Sequence, residues 1–216
     1  MTPVPPPNDA FVYVRMTDPR VTLLLQDLYY EYEVRYPGHL SAADNLVAEA
    51  EKYPAHLFLP PGGAFLLLLR DGQPIAGGAF MQIDARTVEL KRIWTHADFR
   101  RQGLSSRVLA ELEAEAARRG FTRVYLTTGT RQPEAMHLYL KTGYTPLYDL
   151  AADITTLKHL AFEKVITPVS TEISRFGWLT KRLHAWQQQR QVKRVWRHHA
   201  PIARRLDDRI GEGATA

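Results

Sequence analysis

The stretch Glu89 to Arg107, ELKRIWTHADFRRQGLSSR, constrains the chain more than any other. It reads as a strand to Thr95, a short basic loop, and then a long amphipathic helix carrying Leu104, Val108, Leu109 and Leu112 on one side, with Gly120 placed as its stop. A helix that begins this abruptly presents unpaired backbone N–H groups and the positive end of its dipole at the loop, a setting that suits an anion. Gly103 lets a phosphate approach the backbone, Ser105 is small and can donate a hydrogen bond, and Arg100 and Arg101 add fork-shaped donors beside Gln102 and Leu104. The same residues also describe a charged loop capping an ordinary helix, and the loop alone does not separate the two readings.

The remaining pattern supplies a frame for that loop. Strands are predicted at 10–16, 64–70, 74–82, 87–95, 122–127 and 160–166, from β-branched and aromatic runs bounded by turn signals such as Asp71-Gly72. Helices are predicted from Asp18-Pro19 to Tyr36, where Leu24, Leu28 and Tyr32 recur at four-residue steps, more weakly over 42–52, over 103–119, and from Pro133 to Gly143. This order predicts a three-layer α/β domain with a mixed, mostly antiparallel sheet flanked by helices. It spans residues 10–169, after a proline-rich segment (1–9) and before a basic helical C-terminal extension (170–216).

Composition narrows the class of protein. No apolar run approaches the ~18 residues that cross a bilayer, the N-terminal MTPVPPPNDA lacks the basic and apolar regions of a secretory signal, and the expectation is a cytoplasmic protein. With no cysteine there is no thiol nucleophile, disulfide or thiolate metal site, and no histidine has metal-ligand spacing. Net charge is +5, but 170–216 carries ten basic against four acidic residues, leaving the rest almost neutral. That extension also holds Trp178, Trp186 and Trp196, and an apolar stripe of Ile173, Phe176, Leu179, Leu183 and Trp186. The stripe suits packing on the domain or a homodimer contact; Arg, Lys and Trp together also suit nucleic acid or a membrane surface.

Arg100-x-x-Gly103-x-Ser105, lying after a strand and before a long helix, resembles the acetyl-CoA-binding motif of the GNAT N-acetyltransferase superfamily, with Ser where the family has Gly or Ala. Further on, Ala135-Met136-His137-Leu138-Tyr139 followed by Gly143-Tyr144 resembles the family's second signature. The resemblance covers roughly residues 10–166 and extends to bacterial small-molecule acetyltransferases. It implies acetyl-CoA as co-substrate and direct acetyl transfer to an amine acceptor, a small molecule in this reading, with a protein N-terminus or lysine as the alternative acceptor.

Such a transfer needs a base for the acceptor's proton, fixed donors at the thioester carbonyl and stabilisation of the leaving thiolate. The resemblance implies Glu89 as the base and Tyr139 as the acid. Backbone contacts from Ile93 and Thr95 would serve the carbonyl and the pantetheine arm, and Gln132 would add a cofactor contact. Glu89 also reads as a solvated strand carboxylate paired with Lys91 or Arg92, and Tyr139 as an ordinary helix tyrosine. A regulatory module that binds acyl-CoA without catalysis, and a protein whose basic extension is its functional part, stand as alternatives.

Overall fold

The computed structural model describes residues 8–36 and 52–168. The proline-rich start, nearly all of the 42–52 helix and the basic extension, with its dimer, nucleic-acid and membrane readings, lie outside the described residues.

Seven strands form one sheet: β1 (Asp9–Tyr13), β2 (Gly63–Arg70), β3 (Gln73–Gln82), β4 (Thr87–Thr95), β5 (Arg123–Thr128), β6 (Thr145–Pro146) and β7 (Leu160–Val165), in the order β1-β2-β3-β4-β5-β7-β6. All neighbours are antiparallel except β4 and β5. Helix α1 (Pro19–Arg35) covers one face, and α2 (Leu104–Arg118) with α3 (Pro133–Lys141) covers the other. The predicted mixed sheet between helical layers is thus found, with the two-residue β6 as the strand the sequence pattern missed.

The continuous apolar run of β2 follows from burial on both faces. Ala64, Leu66 and Leu68 join the α2 core with Val108, Leu109 and Leu112, whereas Phe65, Leu67 and Leu69 join the α1 core with Val21 and Leu24. α1 starts as its sequence indicates: Asp18 accepts a hydrogen bond from the Arg20 amide at 2.9 Å, and Pro19 occupies the first turn.

β3 is thin where the two helices press closest. A Cβ on Gly77 would stand 2.7 Å from Leu24 Cδ1 and 2.8 Å from the Leu66 carbonyl, and one on Gly78 would stand 2.6 Å from Ile93 Cδ1 and 3.1 Å from Leu112 Cδ1. Gly78→Val therefore overpacks the α2 face, and we expect a loss of about 1–3 kcal/mol in chemical denaturation.

At the sheet edge, Asp9 of β1 is gripped by Arg70 (Nε to Oδ1, 2.7 Å) and, from α2, by Arg107 at 2.5 Å. Hydrogen bonds from Arg70 and then Arg107 hold its carboxyl far below the usual carboxylate range. A depressed folded-state pKa adds stability above the unfolded value near ~3.9, and that stability is lost as pH falls below it. Asp9→Asn is expected to cost up to about 1 kcal/mol at pH 7. In parallel urea titrations the difference from wild type should shrink progressively as pH falls below the ordinary aspartate range.

Candidate active site

The site is made by two irregularities of β4. The first is a bulge. Gly77 of β3 faces Trp94 and Ala79 faces Lys91, so three steps along β4 answer two along β3, and Arg92 takes a positive φ of 57°. The extra residue breaks the alternation of faces. Leu90 and Ile93 pack on the α2 side, while Lys91 and Arg92 both turn to the α1 side, where Lys91 Nζ lies 4.5 Å from the Tyr53 ring centre and the Arg92 guanidinium 4.5 Å from that of Phe58.

The second irregularity is divergence from β5. The parallel pairing consists of Thr87 with Arg123, Val88 with Val124 and Glu89 with Tyr125. Beyond Glu89 the strands part, so the later residues of β4 have no strand partner on that edge.

Two cavities open in this wedge. One, of about 400 Å³, is lined by Ile93, Trp94 and Thr95 of β4, by Arg100, Arg101, Gly103, Leu104 and Ser105 at the start of α2, and by Gln132, Ala135, Leu138 and Tyr139 at α3. The other, of about 310 Å³, is lined by Tyr29 and Tyr32 of α1, by Lys52, Tyr53, Lys91 and Arg92, by Thr127, Thr128 and His159, and again by Ile93, Gln132 and Tyr139. Ile93, Gln132, Ala135 and Tyr139 are walls of both.

The first cavity gathers eight of the nine predicted cofactor residues. Gly103 precedes α2 with φ 74°, no side chain caps the helix, and a Cβ built on Gly103 would meet nothing within 4 Å. The first turn of α2, with Leu104, Ser105 and Ser106 in the cavity wall, leaves its uncapped amides beside the open cavity. Ser105 is engaged locally, its Oγ 2.7 Å from Thr95 Oγ1, which ties the end of β4 to the helix. Arg100 is held from two sides, its Nε 3.4 Å from the Thr95 carbonyl and its Nη2 donating to Glu31 of α1. Gln102 turns away, its Oε1 accepting from Arg70 Nη1 at 2.9 Å. Gln132 accepts at Oε1 from Thr128 Oγ1 (2.8 Å) and the Gly129 amide (3.1 Å), which sets the turn into α3.

Tyr139 is 6% exposed, with its ring 5.5–5.6 Å from those of Phe162 and Tyr144. Burial, and secondarily Tyr32, pushes its phenol well above the usual tyrosine range, so it keeps its proton at neutral pH. Glu89 is not the solvated strand carboxylate that its setting in the sequence also allowed. It is 2% exposed and paired with Lys91 (Nζ to Oε1, 2.7 Å), which also donates to the Tyr53 hydroxyl at 3.1 Å. Burial pulls the Lys91 pKa down, but Glu89 and Tyr53 outweigh it and hold the ammonium charged.

Sequence reasoning did not assign Glu31, Tyr53, Lys91 or His159 to the site. They converge from α1, the segment before β2, β4 and β7's entry, and no spacing along the chain signals that convergence. Burial and the nearby Lys91 cation lower the His159 pKa below its ordinary value. Among the described residues, no group of histidine and carboxylate side chains could hold a metal ion, and no helix is long and apolar enough to cross a membrane.

Similarities to known proteins agree with this geometry. A stretch of 61 residues is 38% identical to the uncharacterized N-acetyltransferase YsnE of Bacillus subtilis, covering 28% of this chain and 40% of that protein. The fold matches an acyl-CoA N-acyltransferase-like protein of Klebsiella pneumoniae (TM-score 0.54, 23% identity, 73% of this chain and 97% of that one). It also matches the PaiA N-acetyltransferase of Thermoplasma acidophilum, solved in complex with coenzyme A (TM-score 0.56, 17% identity, 73% and 99%). Residues 25–144, more than half of the chain, match the acetyltransferase (GNAT) family model. The strand, loop and helix that form the wedge lie inside that match: the chain belongs to the acetyltransferase (GNAT) family.

Proposed function

We propose that the protein transfers the acetyl group of acetyl-CoA directly to the amine of a small molecule, both substrates being bound at once. The observation that carries this reading is the meeting of two cavities at Ile93, Gln132, Ala135 and Tyr139 inside the β4–β5 wedge. One cavity ends at an open helix N-terminus and suits a diphosphate; the other reaches the same point from the α1 face and suits an acceptor.

The diphosphate lies against the first-turn amides of α2, with Arg100 and Arg101 supplying charge and Gly103, Leu104, Ser105 and the backbone of Gln102 forming the cradle. The unpaired edge of β4 offers backbone groups at Ile93 and Thr95 to the pantetheine arm and the thioester carbonyl. Gln132 borders the same channel. The thioester supplies an activated acyl group, and the protein's contribution is to place the amine against it and manage protons.

Magnitudes define the part played by Tyr139. A thiol titrates near ~8.5 and a phenol near ~10, and burial raises this phenol further. Complete proton transfer to the thiolate is therefore uphill, and Tyr139 acts by donating a hydrogen bond as the carbon–sulfur bond breaks. Glu89 receives the acceptor's proton through a water, and its 2.7 Å pair with Lys91 fixes the carboxylate behind the cavity wall.

Initial-rate measurements of thiol release across an amine panel test the reading. Intersecting double-reciprocal plots are expected for the ternary route, and parallel plots would contradict it. Arg100→Ala is expected to raise KM for acetyl-CoA about tenfold with a smaller change in kcat, because a charge-assisted contact to phosphate contributes about 1.5–3 kcal/mol.

A further inference from the structure

The acceptor cavity has a charge character that the acetyl-transfer reading does not require. Its cations arrive by an unusual route: the bulge at Arg92 places two consecutive residues, Lys91 and Arg92, on the same face of β4, where a regular strand would send them to opposite sides. Lys52 adds a third cation from the segment before β2. Among the described residues, no carboxylate lines this cavity; Glu89 lies behind Lys91, 2% exposed.

Resting on the acetyltransferase reading above, we propose that the acceptor is an amine carrying an anionic group, a carboxylate or a phosphate, and that Lys91, Arg92 and Lys52 recognise that group. An ammonium has three N–H donors. Tyr53 accepts one of those on Lys91, the Glu89 carboxylate pairs with the ammonium from behind at 2.7 Å, and a remaining N–H serves a ligand. The Lys91 ammonium stays charged despite burial, so it meets the anion in a setting screened less than the surface. The hydroxyls of Tyr32 and Thr127 complete a polar wall in a space of about 310 Å³, enough for a molecule of amino-acid size. A polyamine or a lysine-rich peptide would bring further positive charge to three cations and be disfavoured.

The test uses matched pairs in the full-length protein. Omega-amino acids of two to five carbons are compared with their carboxamides, and 2-aminoethyl phosphate with ethanolamine, at equal concentrations of free-base amine. Thiol release should show kcat/KM at least tenfold higher for the anionic member of a pair, and the better of the two series identifies carboxylate or phosphate. A second readout needs no turnover: with coenzyme A present, calorimetry compares N-acetylated products of each pair, and the anionic product should bind at least tenfold tighter, less so at high salt. Lys52→Glu, a change at an exposed position, should cut that preference severalfold without altering the melting temperature. Neutral amines or diamines matching or exceeding the anionic ones in both readouts would overturn the proposal while leaving acetyl transfer standing. Preferential binding of anionic products with no thiol release from any amine would support it and count against the transfer reading instead.

Discussion

Tyr139→Phe is expected to lower kcat about a hundredfold while leaving KM for acetyl-CoA within about threefold, since one fixed hydrogen-bond donor at a developing negative charge contributes ~10²–10³ in rate. The substitution removes one oxygen. The ring contacts with Tyr144 and Phe162, at 5.5–5.6 Å, remain, so the melting temperature should not fall. A purely structural tyrosine gives a different result: turnover near wild type. Because burial keeps the phenol protonated, the wild-type rate should show no loss assignable to Tyr139 as pH rises through 8 to 9.

The second large effect concerns the Glu89–Lys91 pair. Removing one partner of a buried ion pair leaves the other charge uncompensated and costs about 3–5 kcal/mol, whereas replacing both is often close to neutral. Glu89→Leu and Lys91→Met should therefore each destabilise strongly, and the double variant should recover most of the loss in a double-mutant cycle. Glu89→Gln, which keeps the shape, is expected to reduce kcat about a hundredfold. Its pH–rate profile carries the distinction: a change in the acidic limb marks a proton acceptor, while a falling melting temperature with an unchanged profile marks a strut.

The architecture was legible because its signals are local. Each helix start has its own chemistry, Asp18 and Pro19 for α1 and Pro133 for α3, and the apolar run of β2 announces a strand covered on both faces. Among the described strands only β6 escaped, since Thr145-Pro146 is too short to carry a period and exists by pairing with Glu163 and Phe162 of β7. The loop joining β4 to α2 was legible for the same reason, being one contiguous segment.

The acceptor side was not legible. The bulge rests on an arginine at positive φ, where glycine is the usual marker, so Lys91 and Arg92 read in sequence as residues on opposite faces. Tyr53 and His159 meet Lys91 across long separations in the chain, and the capture of Arg100 by Glu31 depends on how α1 lies over the wedge. The Gln102 side chain, expected at the diphosphate, is held by Arg70 instead, a contact between the α2 loop and β2 that only the folded sheet brings together.

The brief parallel pairing of β4 with β5 has a consequence for how this scaffold diversifies. Past Glu89 the width of the gap is set by side chains of α1 and α3, not by a ladder of peptide groups. Exchanging Leu28, Ala135 or Leu138, which line the first cavity, for smaller or larger neighbours thus changes the room in the wedge without a single interstrand bond being broken.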